Sequence, residues 1–191
     1  MAMLHSIIPG LWLLFVVYWL ISARSAKRSI GGRRAKWLHI GVRIGILALV
    51  LIALSSATLR HGLRVAQAYQ AHHALMAVIG IILVILGIGL AIWARIELGR
   101  NWGTPMSQRV DPELVTGGPY AYVRHPIYSG IILGMIGSAI GHSVVWTLPL
   151  VLVSAYFIYS ARREEELMCR LFPDSYPAYM QRTYMLVPYV L

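Results

Sequence analysis

The chain has 191 residues, of which 58% are hydrophobic and only 13% are charged. Soluble domains carry about 25% charged residues, so the composition argues against a water-soluble globule and rules out a disordered chain. The net charge is +10, and the one cysteine, Cys169, excludes an internal disulfide and a cysteine-based zinc or iron–sulfur site.

Apolar runs along the chain are long enough for membrane helices, which need about 20 residues to cross a bilayer. Residues 7–23 predict a first span, residues 38–59 a second and residues 74–94 a third. The run 126–161 is too long for one crossing, and a Gly-His-Ser turn at 141–143 interrupts it. We therefore predict an all-α integral membrane protein with five transmembrane helices, of which the last two form a tight helical hairpin.

Basic residues are concentrated on one side of this predicted arrangement. They lie between spans one and two, between spans three and four, and after span five, together with all seven carboxylates. The positive-inside rule places that side in the cytoplasm and the N-terminus outside. The basic cluster at 24–36 is expected to set this topology and to contact anionic membrane lipids, and no nucleic-acid partner is expected.

A polar motif precedes the predicted hairpin. Proline suits the first turn of a helix, so the fourth span is expected to begin at Pro126 with His125 just outside it. The unpaired N–H groups at such a helix start, with the Arg124 cation beside them, suit a carboxylate or a phosphate. The alternative is structural: His125 caps the helix and Arg124 extends to lipid headgroups.

Three consecutive carboxylates, Glu164, Glu165 and Glu166, follow the hairpin. At the C-terminal end of a helix they oppose the macrodipole, at a cost of about 0.3–1 kcal/mol each. They either bind a cationic ligand or are offset by Arg162 and Arg163. Aromatic residues near both motifs either line a pocket for a ring or anchor the chain at the membrane interface; they are Tyr120, Tyr122, Tyr128, Tyr176, Tyr179 and Trp102.

Three segments resemble the superfamily of isoprenylcysteine carboxyl methyltransferases and phospholipid methyltransferases. They are LVTGGPYAYVRHPIYSG (114–130), EEELMCRLFPDSYPAYM (164–180) and LGRNW (98–102). The resemblance implies an integral membrane methyltransferase that uses S-adenosyl-L-methionine and releases S-adenosyl-L-homocysteine. It also implies a cofactor pocket on the cytoplasmic side, covered in part by a C-terminal helical segment. The chain departs from the pattern at Pro173, where the family usually has glycine.

The resemblance, carried over position by position, implies roles for individual residues. The expected cofactor-binding residues are Tyr120, Arg124, His125, Tyr128, Glu164 and Glu165. Glu165 is also expected to act in catalysis, and Arg124 and Arg163 are candidates for orienting a carboxylate acceptor. No metal site is expected.

The sequence leaves the methyl acceptor open. Residues 1–94 are expected to hold three spans and residues 95–191 the catalytic region, within one structural domain. A lipophilic acceptor is expected to enter from the bilayer, and a prenylated cysteine carboxylate, a phospholipid amine and a small thiol all fit. A sterol-reductase-like enzyme that binds NADPH is the alternative, since RTYMLVPY (182–189) is faintly similar to such enzymes. A non-enzymatic membrane scaffold is the least supported interpretation.

Overall fold

The computed structural model describes residues 2–22, 74–102, 113–142 and 144–188, with side chains of the first helix from residue 6 onward. Most of the described residues lie in helices, as predicted. Their α-helices are α1 (Ala2–Ser22), α2 (Ala74–Leu98), α3 (Pro126–Gly141), α4 (Thr147–Leu171) and the short α5 (Tyr176–Met180). Three single 3₁₀ turns lie between them, at Gly99–Asn101, Gly118–Ala121 and Val144–Trp146. The described ranges contain no β-strand, only an isolated parallel bridge between Val123 and Tyr184.

Two helical stretches are long and apolar enough to cross a membrane. They are Ala74–Asn101, which includes α2, and Val144–Leu171, which includes α4. The apolar part of α1, Ser6–Ser22, and helix α3, Pro126–Gly141, are shorter than these two stretches. The predicted second span at 38–59 and the basic cluster at 24–36 lie outside the described residues. Five spans and their orientation therefore stay predictions.

Two helices extend beyond the apolar runs that predicted them. Helix α2 ends at Leu98 rather than at residue 94, so it crosses the expected division between the two regions. Helix α4 ends at Leu171, ten residues after the apolar run ends. The prediction that Glu164–Glu166 sit at a helix C-terminus is therefore wrong, because the helix continues for more than a turn beyond them. Each of the three carboxylates has a hydrogen-bond or ion-pair partner, which offsets the cost of placing charged side chains in this part of the helix.

Glycines on both helices allow the main chains of α2 and α3 to pack directly against each other. A Cβ added at Gly87 would lie 2.5 Å from the carbonyl oxygen of Gly130 and 2.5 Å from the nitrogen of Gly134. Two turns earlier in α2, a Cβ added at Gly80 would collide with the backbone of Gly141. The small-residue pattern of the hairpin thus packs α3 against α2 within one chain, which is how small residues act in membrane helices.

Helix α1 packs on the same pair of helices. Its Ile8 and Phe15 form a buried cluster with Val84, Ile88 and Ala91 of α2. Trp12 Nε1 donates a hydrogen bond to Ser138 Oγ at 2.9 Å. These contacts hold α1 against both α2 and α3.

Candidate functional site

Helix α3 begins where its proline predicted. Pro126 is the first residue of the helix, and His125 is the N-cap, with φ −126° and ψ 58°. The His125 side chain makes no capping hydrogen bond to the helix. The alternative in which His125 serves only as a cap is therefore not what the structure shows, and its imidazole is directed elsewhere.

Residues 181–188, here called the C-terminal strap, run alongside the segment that leads into α3. The main-chain N–H groups of Arg124 and His125 donate to the carbonyl oxygens of Tyr184 and Met185, at 2.8 and 3.1 Å. Ser129 Oγ donates to the Leu186 carbonyl at 2.5 Å. The strap therefore binds the residues that lead into α3, next to the helix start where a bound anion was expected.

Arg124 links the strap to helix α4. Its Nε donates to Glu165 Oε1 at 2.6 Å, and its Nη1 donates to the carbonyl oxygens of Met180 and Thr183. The side chains of Arg124 and Glu165 are 9% and 11% exposed. Arg124 is therefore held inside the protein, whereas the structural alternative had it extend to lipid headgroups.

Glu164 and Glu165 meet the residues that begin α3. Tyr128 donates its hydroxyl hydrogen to Glu164 Oε1 at 2.6 Å. His125 lies between the two carboxylates, with Nδ1 3.6 Å from Glu164 Oε2 and Nε2 3.3 Å from Glu165 Oε1. The predicted anion site and the predicted cation site are thus one group of side chains. We call it the polar cluster: Arg124, His125, Tyr128, Glu164 and Glu165.

Aromatic rings line one side of the polar cluster. The His125 ring stacks on the Tyr128 ring, with centroids 5.4 Å apart and planes within 4°. Tyr128 in turn stacks on Phe157 of α4, with centroids 4.3 Å apart. Planar rings in this arrangement offer an apolar wall next to the two carboxylates. Phe157 was not among the expected site residues, because in the sequence it is one apolar residue within a long apolar run.

Buried tyrosines connect the loop before α3 to the C-terminal segment. Tyr179 donates its hydroxyl hydrogen to the Tyr120 carbonyl oxygen at 2.6 Å. Burial raises the pKa of Tyr179 to about 12, and burial also raises the pKa values of Tyr120 and Tyr176 above their ordinary value. All three hydroxyl groups therefore stay protonated at neutral pH, and that of Tyr179 donates to the Tyr120 carbonyl.

The third carboxylate and the neighbouring arginine point away from the polar cluster. Arg163 Nη1 and Glu166 Oε2 form a surface pair at 2.9 Å, with side chains 55% and 52% exposed. Successive helical residues are rotated by 100°, so Glu166 leaves the face that holds Glu164 and Glu165. Arg163 was expected to orient a carboxylate acceptor, but the structure places its side chain on the surface, where it pairs with Glu166 rather than with the polar cluster.

A sequence profile for phospholipid methyltransferases matches residues 75–175. This range includes α2, α3 and α4 and the whole polar cluster. The chain belongs to the phospholipid methyltransferase family. The family and the two long apolar helices together indicate a membrane protein.

Three curated relatives each match about half of the chain. The nickel-cobalt-cadmium resistance protein NccN of Alcaligenes xylosoxydans xylosoxydans is 36% identical over 52% of this chain and 47% of the relative. The cobalt-zinc-cadmium resistance protein CzcN of Cupriavidus metallidurans is 36% identical over 51% and 44%. The protein-S-isoprenylcysteine O-methyltransferase of Schizosaccharomyces pombe is 28% identical over 55% and 46%. The chain thus spans about half the length of these relatives, and the last name, like the family's, indicates methyl transfer.

One buried charge in this family member escaped the sequence interpretation. Arg95 of α2 is 3% exposed, although the sequence placed it among the basic residues that follow the third predicted span. Its guanidinium donates to the carbonyl oxygens of Gly99 and Ser22 and lies 4.8 Å from the centre of the Trp102 ring. Arg95 therefore joins the C-terminal ends of α1 and α2 beside Tyr120. No sequence pattern near Arg95 predicts this contact.

We expect Tyr179→Phe to weaken the attachment of the C-terminal segment. The change removes the donor to the buried Tyr120 carbonyl and leaves that oxygen without this partner, which costs roughly 1–3 kcal/mol. Thermal unfolding in detergent measures the loss. Tyr122→Phe is the matched control, because Tyr122 is 69% exposed. Equal stabilities of the two variants would contradict the assignment.

Proposed function

We propose that the chain is an S-adenosyl-L-methionine-dependent methyltransferase that acts on a lipophilic acceptor. The observation that supports this most directly is the polar cluster, where two carboxylates, a guanidinium and an imidazole meet at the start of α3. Charged and hydrogen-bonding groups of both signs suit a ligand that carries a carboxylate, an ammonium and a sulfonium. When bound, this cofactor would supply a sulfonium methyl group, which a nucleophile attacks at carbon while the S–CH3 bond breaks and the neutral thioether of S-adenosyl-L-homocysteine leaves.

His125 provides the test of fit to the cofactor. Its side chain is buried, and Nε2 has no aligned hydrogen bond although Glu165 Oε1 lies 3.3 Å away. A buried polar atom without an aligned partner costs roughly 1–3 kcal/mol, and a bound polar ligand removes that cost. Nε2 can therefore bond a cofactor group, while Glu164 and Glu165 attract its cationic part. The residues present fit the proposed cofactor.

Arg124 acts in this proposal as a positioning residue. Its guanidinium is shared between Glu165 and two carbonyl oxygens near the strap, so it is not directed at an acceptor. It holds Glu165 in a fixed relation to the strap and to His125. Fixed placement of the reacting groups contributes several kcal/mol in transfer reactions, about 7–11 kcal/mol at most. The stacked rings of Tyr128 and Phe157 keep water from one side of the carboxylates.

The depth of the polar cluster in the membrane supports a lipophilic acceptor. Exposed side chains on α4 are apolar at Val151 and Leu152, and Tyr159 is 55% exposed. Glu164 follows Tyr159 by five residues, about 8 Å along the helix. An interfacial tyrosine marks the headgroup level. A substrate whose tail stays in the bilayer therefore has its polar end near the cluster, on a face that we propose is cytoplasmic.

A prenylated cysteine carboxylate is the acceptor that we favour. The Schizosaccharomyces pombe relative is named for that reaction, and a carboxylate needs no base to react at neutral pH. The family description makes a phospholipid amine the second candidate, and for that acceptor His125 is the candidate base. The two resistance proteins are named for a phenotype rather than a reaction, so their names leave the acceptor open.

The cofactor proposal is tested by titrating S-adenosyl-L-homocysteine into the detergent-purified chain by calorimetry. We expect binding by the wild type, a loss of more than about tenfold in His125→Ala, and little change in His142→Ala. His142 is a matched control because it lies at the opposite end of the same helix. No binding by a folded wild type would overturn the cofactor assignment, and a titration with NADPH would then test the sterol-reductase alternative.

The acceptor is identified separately with methyl-labelled S-adenosyl-L-methionine. Membranes that contain the chain are offered N-acetyl-S-farnesylcysteine, phosphatidylethanolamine or a lipophilic thiol. Base-labile label in the farnesylcysteine fraction is expected, since methyl esters hydrolyse in base whereas methylamines and thioethers do not. Label in the phospholipid or thiol fraction instead would leave the cofactor proposal standing and move the acceptor to that class.

A further inference from the structure

One stripe of helix α4 stays exposed along its whole length. Residues spaced three or four apart share one side of a helix. On this side, in chain order, α4 carries Leu148, Val151, Leu152, Ala155, Tyr159, Arg162, Arg163, Glu166 and Arg170. Every one of these residues is exposed, and the residues on the opposite side of α4, including Glu165, face the protein. The stripe changes character once, from apolar up to Ala155 to charged from Arg162.

This change locates the membrane boundary on α4. Tyrosine is enriched at headgroup level, and Tyr159 stands between the apolar and the charged residues. At 1.5 Å per residue, Arg162 and Arg163 follow Tyr159 by about 5–6 Å, whereas Arg170 follows it by about 16 Å. The headgroup layer is roughly 5–8 Å deep on each side of a bilayer. Arg162 and Arg163 therefore reach the phosphates, and Arg170 lies beyond them.

We propose that Tyr159, Arg162 and Arg163 bind the headgroup of an anionic phospholipid on the outer side of α4. Guanidinium groups bind phosphodiester oxygens in pairs of hydrogen bonds, and the neighbouring apolar stripe accommodates the acyl chains. Arg163 is paired with Glu166 at 2.9 Å, but both side chains are more than half exposed. Exposed pairs contribute about 1 kcal/mol or less, so a lipid phosphate competes with Glu166 for Arg163.

This site is separate from the polar cluster. Arg162 and Arg163 precede Glu164 directly in the sequence, yet they face the lipid while Glu164 accepts the Tyr128 hydrogen bond inside the protein. The proposal gives Arg163 a role that its position supports, since it does not contact Arg124 or His125 in the described structure. It needs only that α4 is embedded in a membrane, and not that the chain binds S-adenosyl-L-methionine.

The test measures binding of phosphatidylglycerol to the detergent-solubilised full chain by native mass spectrometry. Each interfacial arginine contributes about 1 kcal/mol to binding an anionic lipid, so we expect Arg162→Gln/Arg163→Gln, which removes two of them, to bind phosphatidylglycerol about thirtyfold more weakly than the wild type. The control variant Arg170→Gln/Arg182→Gln loses the same net charge from two other exposed positions, one further along α4 and one on the C-terminal strap. It is expected to retain the wild-type affinity, and phosphatidylcholine is expected to bind all three proteins weakly.

Each contrary outcome overturns the proposal. Equal losses in both double variants would show that net charge alone attracts the lipid. No loss in either would show that these arginines do not contact it. Displacement of phosphatidylglycerol by millimolar inorganic phosphate would show a site for free anions instead. Thermal unfolding and S-adenosyl-L-homocysteine titration of the same samples establish folding and test the proposed function independently.

Discussion

Glu165→Gln is expected to weaken both the stability of the chain and its cofactor binding, because it removes one partner of the buried pair in the polar cluster. The neutral amide keeps the shape of the side chain but removes the charge that neutralises the Arg124 guanidinium, which is 9% exposed. Breaking a buried ion pair by removing one partner costs about 3–5 kcal/mol, and the remaining amide oxygen places Glu165→Gln near the lower end of that range. Because the same carboxylate lies beside His125, we expect S-adenosyl-L-homocysteine affinity to fall by more than about tenfold.

Glu166→Gln is the matched control for this prediction. It makes the same chemical change one residue further along α4, where the carboxylate is 52% exposed and contacts Arg163 on the surface. An exposed pair of this kind contributes about 1 kcal/mol or less. Calorimetric titration and thermal unfolding of both variants decide the matter. If Glu166→Gln lost as much affinity as Glu165→Gln, the carboxylate pair would be assigned one residue too early.

Gly87→Ala is expected to cause a large loss of stability although it adds only one methyl group. Its Cβ would lie 2.5 Å from backbone atoms of both Gly130 and Gly134, so neither a rotamer change nor a side-chain shift can relieve the contact. Helices α2 and α3 would have to move apart along their shared face. Overpacking of this kind costs about 1–3 kcal/mol and sometimes more. The measurement is the free energy of unfolding in detergent or mixed micelles.

Gly89→Ala provides the comparison for Gly87→Ala. Gly89 is two residues along the same helix, and no atom lies within 4 Å of the position its Cβ would take. Both changes alter the intrinsic helix propensity equally, so their difference isolates the packing term. Equal stabilities would mean that α2 and α3 do not approach through these glycines. The S-adenosyl-L-homocysteine affinity of folded Gly87→Ala protein then reports whether this packing also positions the start of α3.

The arrangement of the triple carboxylate shows how far sequence reasoning reaches. The pair Glu164 and Glu165 was expected at the site on the strength of a resemblance, while the third carboxylate, Glu166, left the register of the pair open by one residue. Helical rotation of 100° per residue explains why neighbours can share a face and the third cannot. Which pair faces inward depends on the phase of α4 against α3, which is set by contacts such as Tyr128 with Phe157 and with Glu164. Those contacts join residues far apart in the chain.

Arg124 shows what sequence reasoning could not predict, namely the partners of a charged side chain. Its motif correctly predicted a helix start at Pro126, because proline restricts the residue before it and lacks an N–H that a first turn does not need. The same motif suggested a free cation beside an anion site. In the structure the cation is shared with Glu165 and with carbonyl oxygens of Met180 and Thr183, which lie 41, 56 and 59 residues away. No local signal in the chain distinguishes these two uses of one arginine.

By itself, the sequence determined the features that depend on short-range physics. Its apolar runs predicted α1, α2, α3 and α4, and its proline placed the start of α3, since each of these depends on neighbours within a few turns. The tertiary structure alone decided that the strap pairs with residues 122–125, that Arg95 is buried and that Arg163 faces outward. These outcomes depend on which distant groups satisfy a charge or a hydrogen bond, and many chain segments carry groups capable of doing so.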